Sequence, residues 1–291
     1  MAGGDGMRLL RTGAAAPRML ASDGAETRDL TAADPAVTSF RDIAARAAEM
    51  GGIEAVVDAL RPTAPVVPTP APTALRRPVV ADEVWAAGVT YAISEQAREA
   101  ESALPEMYMQ VYDADRPEIF FKATPSRTVG PHAAVGVRAD STWDVPEPEL
   151  GVVLYDGAIV GYTVGNDVSS RAIEGANPLY LPQAKVYDRC CAIGPAVTTP
   201  AALDPTDLEM SMQITRDGAV VYDDHTSTAA LHRTIDELVS YTLRSDAVPE
   251  LLVLLTGTSL VPEDGFTLLP GDTVQITIVG IGTLENDVIE V

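Results

Sequence analysis

The chain has 291 residues, 46% of them hydrophobic, and 42 acidic against 20 basic side chains leave a net charge of −22. That length can bury a sizeable core in one large domain with a smaller appendage; the acid excess excludes a nucleic-acid surface of clustered basic residues, and no apolar run approaches the roughly eighteen residues of a membrane-spanning helix. The N-terminal stretch has no long apolar run with a cleavage site, so no signal peptide is expected, and the adjacent Cys190 and Cys191, which cannot easily bridge each other, suit a reducing cytoplasm.

Residues 7–11 suit a short strand. Thr38-Ser39 open an alanine-rich helix running to Met50, and Gly51-Gly52 set it off from a second helix over 53–60. Six prolines between 62 and 78 read as an extended linker. The expected division is therefore a small α+β domain at 1–61, a linker at 62–80 and a main domain at 81–291. From there the pattern is mostly β, with strands over 84–89, 118–122, 134–139, 148–155, 158–166, 207–216, 218–223, 251–256 and 272–279. Helices are expected only at 94–103 and 229–244, which predicts a closed or rolled β domain.

Glu147-Pro148-Glu149, followed by Asp167, carries the chemistry. Carboxylates at i and i+2 of an extended segment share a face, and a third acid beside them makes an all-oxygen cluster suited to a hard divalent cation. The chain's two lysines, Lys122 and Lys185, bracket this cluster in sequence, while arginine serves eighteen times elsewhere. Register is the test. With a two-residue turn at Asp156-Gly157, Glu147 falls opposite Asn166 and Asp167 points to the wrong face; a bulge or longer loop brings Asp167 opposite Glu147.

The runs "PEIFFKATPSRTVG", "PEPELGVVL", "GNDVSSRAIE" and "CCAIGP", then "LLTGTSLVP" and "GDTVQITIVGIGTLENDV", resemble the fumarylacetoacetate hydrolase superfamily in order across 81–291. "RPEIFFKATP" with "NPLYLPQAK" is most similar to its 2-dehydro-3-deoxy-D-arabinonate (pentonate) dehydratases. The resemblance implies a mixed β-roll, a homodimer or homotetramer, and Mg²⁺ (with Mn²⁺ or Ca²⁺ as substitutes) on Glu147, Glu149 and Asp167. It makes Lys185 the active-site lysine and sets Arg171 and Thr258 toward the substrate's polar groups. Hydrolytic members place a histidine about three residues after a tyrosine; "GVTYAIS" puts Ser94 there, and serine is no general base near neutral pH.

The implied substrate is a small 2-oxo acid. A cation chelated by its carboxylate and keto oxygens would make the C3 protons acidic, and loss of the C4 hydroxyl would then give 2,5-dioxopentanoate. Lys185, its pKa lowered by partial burial, could move either proton, with Glu118 as a second acid or base. Arg116, Arg171 or Thr258 could hold the substrate carboxylate, and Lys122 either binds substrate or merely neutralises the acids. Other readings are an acylpyruvate hydrolase or 2-oxo-acid decarboxylase using Glu95 or Glu99 as base, and a non-catalytic binding protein. Trp85 and Tyr91 read as core, His132 as a turn residue, and Gly280-Ile281-Gly282 as no nucleotide loop, because a strand follows it.

Overall fold

A computed structural model describes residues 7–13, 15–91, 111–263 and 265–291. The helix at 94–103 and Ser94, Glu95 and Glu99 lie outside these residues. Among the described residues no helix is long and apolar enough to cross a membrane.

The expected helix forms as Phe40–Met50, closed at its start by a reciprocal cap between Ser39 and Asp42 and at its end by Gly51 in the left-handed region. A second helix, Ile53–Leu60, packs beside it. Their apolar stripe, including Phe40, Ile43, Val56 and Val57, covers one face of a large mixed sheet. The central strands Pro148–Tyr155 and Leu251–Leu255 are buried along their whole length. Val153, Val253 and Leu255 join the helix-side core, whereas Val152, Leu154, Leu252 and Leu254 join the opposite one. Burial on both faces is why these strands read as unbroken apolar runs.

The other face packs against a five-stranded sheet ordered Ala219–Ser227, Glu209–Arg216, Thr273–Ile278, Gly282–Glu290 and Val135–Val137. Met210, Ile276 and Leu284 fill the space between the two sheets. The N-terminal residues share the large sheet: Arg8–Thr12 pairs with Cys191–Thr198, and Arg18–Ser22 with Arg8–Thr12. Two short strands within the proline-rich stretch, Val66–Val67 and Leu75–Arg76, are pinned to Thr27–Asp29 and Arg8–Thr12.

The hairpin carrying the acids resolves its register with a bulge. Asp156 and Gly157 take positive φ (48° and 76°), the geometry of a tight two-residue turn, and pair Tyr155 with Ala158 and Leu154 with Ile159. The register then slips, so that Val153 faces Gly161 and Val160 is the extra residue. From there Glu149 faces Gly165 and Pro148 faces Asn166. The Asp167 N–H donates to Glu147 O at 2.9 Å, so the two acids meet. A single inserted residue brings three carboxylates together.

Candidate active site

Glu147, Glu149 and Asp167 are all buried, and each offers an oxygen within 4.8 Å of the others. Three buried cations face them. Lys185 Nζ lies 2.5 Å from Glu147 Oε2 and 3.3 Å from Asp167 Oδ2, Lys122 Nζ 2.5 Å from Asp167 Oδ1, and Arg171 Nη2 2.9 Å from Glu147 Oε1. Cations set against the carboxylates make an interior that costs far less than an unpaired charge would. Burial first, and then Asp167 and Glu147 beside it, push the Glu149 carboxyl well above its ordinary value. The self-repulsion expected of this cluster therefore falls on Glu149.

Local backbone sets each group. Glu149 Oε2 accepts the Gly257 N–H at 2.6 Å. Gly257 has φ +93°, and a Cβ there would collide with the Thr90 hydroxyl, so no other residue fits without rearrangement. Arg171 opens the helix Arg171–Ala176, capped by Ser170, and Glu174 lies 3.9 Å from its Nη1. Lys185 ends the short helix Leu181–Lys185. Its ammonium donates to Ser169 Oγ at 2.7 Å and sits 5.4 Å from the centroid of the Phe120 ring. Lys185 is fully buried, where partial burial was expected.

The three acids, Lys185, Arg171 and Thr258 line one cavity of about 20 Å³ together with Phe120, Gly257 and the 87–89 backbone. That is room for one ion or one water. Glu118 does not line it, but its carboxylate is pressed against Gly88, which does. Lys122 is not in the cavity wall. Burial is the largest influence and opposes its charge, but Asp167, Cys190 and Cys191 together outweigh it and its pKa is raised above the ordinary lysine value. The neutralising alternative for Lys122 therefore has the geometry, and the substrate contact does not. Arg116 is not brought to the site either: it is exposed, with its guanidinium 5.4 Å from the centroid of the Tyr241 ring.

Sequence reasoning passed over Ser169, Phe120 and Gly257. Ser169 Oγ donates to Glu147 Oε2 at 3.1 Å while accepting from Lys185, which locks the lysine against the acids. Its signal was present, since it lies two residues past Asp167 and shares its side of an extended chain. Tyr91 is core as expected, but its hydroxyl has no hydrogen-bond partner among the described residues. Burial and then Glu149 push its pKa up.

A buried all-carboxylate oxygen cluster of this size fits a hard divalent cation of the Mg²⁺ type, held by Glu147, Glu149 and Asp167. Fold and site together define a metal-dependent enzyme with an oxygen-ligand centre and an adjacent lysine. Residues 83–289 match the model of the fumarylacetoacetate (FAA) hydrolase C-terminal family, and the chain belongs to that family. It is 62% identical over 93% of its length to a probable 2-keto-3-deoxyxylonate dehydratase of Haloferax volcanii, covering 95% of that protein. It is 43% identical over 72% of its length to the 2-dehydro-3-deoxy-D-arabinonate dehydratase of Saccharolobus solfataricus, covering 72% of that one. Among solved structures it resembles a 2-keto-3-deoxy-D-arabinonate dehydratase complexed with magnesium and 2,5-dioxopentanoate, with TM-score 0.79 and 34% identity over 98% of both chains.

Proposed function

We propose that this chain is a Mg²⁺-dependent hydro-lyase that converts 2-dehydro-3-deoxy-D-pentonate to 2,5-dioxopentanoate. The observation that carries the reading is the buried triad of Glu147, Glu149 and Asp167 with Lys185 2.5 Å from Glu147. The similar proteins are named for xylonate and arabinonate products, and these names describe one substrate. Oxidation state at C2 and loss of the C3 hydroxyl erase the only difference between the two sugar acids; C4 keeps its configuration.

Mg²⁺ bound at the triad would draw electron density from the substrate's 2-oxo group and so acidify C3. The chain's own groups do the rest. Arg171, at the cavity wall beside Glu147, is placed to bind the substrate carboxylate. Once its carboxylate partners are engaged elsewhere, Lys185 gives up its ammonium proton to water and, as the neutral amine, takes the C3 proton, a general-base role of about 10²–10⁴-fold. The C4–O bond breaks with protonation of the leaving hydroxyl, for which Glu118, pressed against the cavity-lining Gly88, is the candidate acid. Water departs and C3=C4 forms. A proton then moves from C5 to C3, and the resulting enol becomes the C5 aldehyde, so the balance is the loss of one water. Phe120 and the fully buried lysine keep the reacting face dry.

Assembly as a homodimer or homotetramer belongs to the same proposal, supported by the prevalence of closed symmetry among soluble enzymes, and sedimentation equilibrium tests it. The reaction is tested by incubating protein with 2-oxo-3-deoxy-D-pentonate, with Mg²⁺ or with EDTA, and assaying product. Metal-dependent 2,5-dioxopentanoate is expected. Pyruvate or CO₂ released from an acylpyruvate or from oxaloacetate, with no aldehyde from the pentonate, would contradict it.

A further inference from the structure

We infer that Lys122 is a positioning residue: its ammonium ties the carboxylate of Asp167 to the main chain of Lys185, so that cation ligand and base are set as one unit. The inference rests on the metal-site reading above. Lys122 is completely buried and donates to Val168 O at 2.9 Å and Lys185 O at 2.6 Å, besides its 2.5 Å contact with Asp167 Oδ1. An ammonium has three hydrogens, and these three acceptors use all of them. None is left for a substrate.

The strand Glu118–Ala123 explains the placement. Glu118 and Phe120 alternate onto one face, and a register slip in the strand's pairing leaves Lys122 as the extra residue, so a single strand presents an edge carboxylate, a cavity wall and the buried tie in sequence. Lys185 O is a carbonyl at the end of the helix Leu181–Lys185, a group with no helical donor of its own. Lys122 satisfies it while holding Asp167 Oδ1, which leaves Oδ2 as the oxygen that Lys185 Nζ approaches. Tyr187 backs the arrangement, its hydroxyl donating to Val168 O at 3.0 Å and its ring centroid 5.7 Å from Lys122 Nζ. A compact ammonium suits three acceptors converging on one point; a planar guanidinium does not. This gives a physical reason why both lysines of a chain that otherwise uses arginine lie against one aspartate.

The test uses the full-length protein and the variants K122M and K122R, with Mn²⁺ as a paramagnetic probe of the metal site. The expected result is Mn²⁺ affinity weakened about 10–100-fold, the range for losing a group that orients a ligand. A kcat loss of similar size should accompany it, with KM changed by less than about twofold, because Lys122 does not touch substrate. A raised KM with unchanged Mn²⁺ affinity would overturn the inference by making Lys122 a substrate contact. A lowered Tm with native Mn²⁺ affinity and native kcat at a permissive temperature would overturn it by making the residue only structural. Should K122M fail to fold, K122R decides alone: native affinity and kcat in that variant would contradict the need for the compact ammonium. The Mn²⁺ titration is independent of turnover, so a wild-type protein that binds Mn²⁺ yet fails to dehydrate the pentonate would sink the proposed function and leave Lys122 decidable.

Discussion

Two groups of acids in this molecule look alike in sequence and differ in every physical respect. Asp223, Asp224 and Glu263 rim a wide, open depression of about 590 Å³ beside the strand Ala219–Ser227. They are exposed; Asp223 accepts from Gln213 Nε2, and Asp224 from the Tyr222 hydroxyl and the His225 N–H, with no lysine or arginine among these partners. Glu147, Glu149 and Asp167 are buried, and Lys122, Lys185 and Arg171 stand against them. Water screens the first group at no cost to the fold. The second has no water to screen it, so the protein must supply counter-charges or a cation. Carboxylates make a metal centre when the fold removes their solvent, and a chain with net charge −22 has many that do not qualify.

The sharpest break between the two groups is E149Q. It should abolish high-affinity Mg²⁺ binding and lower turnover by at least about 10³-fold. The same substitution should raise the stability of the chelated protein, because the Glu149 carboxyl is already pushed well above its ordinary value. Thermal melts in EDTA check that sign. K185M comes next, with kcat reduced about 10²–10⁴-fold while the protein still binds Mn²⁺. G257A should cost about 1–3 kcal/mol through its left-handed φ and the Thr90 collision, and should weaken metal binding by losing the aim of Glu149. At the bottom of the scale, D224N should leave stability within about 0.5 kcal/mol and activity unchanged.

The pH dependence separates the groups too. Glu149 has a folded-state pKa raised above the unfolded value, so in the chelated protein its stabilising contribution is complete below the unfolded carboxylate pKa. That contribution is lost as pH rises through the raised value. Metal binding has the opposite slope: a cation needs Glu149 ionised, so apparent affinity should weaken about tenfold per pH unit below the raised pKa and level off above it. Melting curves in EDTA across pH, beside Mg²⁺ titrations at the same pH values, would show both slopes.

Much of this was legible from the residues. The strand at 148–155 and its hairpin partner followed from an apolar run and Asp156-Gly157, and the need for a bulge followed from parity alone. The strand Cys191–Thr198 was not read, because Gly194-Pro195 in its middle removes a ladder donor and mimics a turn. Gly282–Glu290 was read only as a strand following Gly280-Ile281-Gly282, without bounds, since its four acidic and amide side chains hide an alternation in which Leu284, Asn286 and Val288 point inward. At the site, the acids and Lys185 were visible as types at a spacing. Arg116 was set beside the substrate on its charge, and for Lys122 substrate binding and neutralisation of the acids both stayed open, because residue type does not say which side of a carboxylate a side chain occupies.

The most direct test of the central claim is calorimetric titration of Mg²⁺ into chelator-stripped protein, wild type and E149Q, in two buffers of different ionisation enthalpy. The account predicts one site per chain in the wild type, with proton release seen as a buffer-dependent heat, and no comparable binding in E149Q. Tight binding that survives E149Q, or none in the wild type, would contradict a metal centre at Glu147, Glu149 and Asp167.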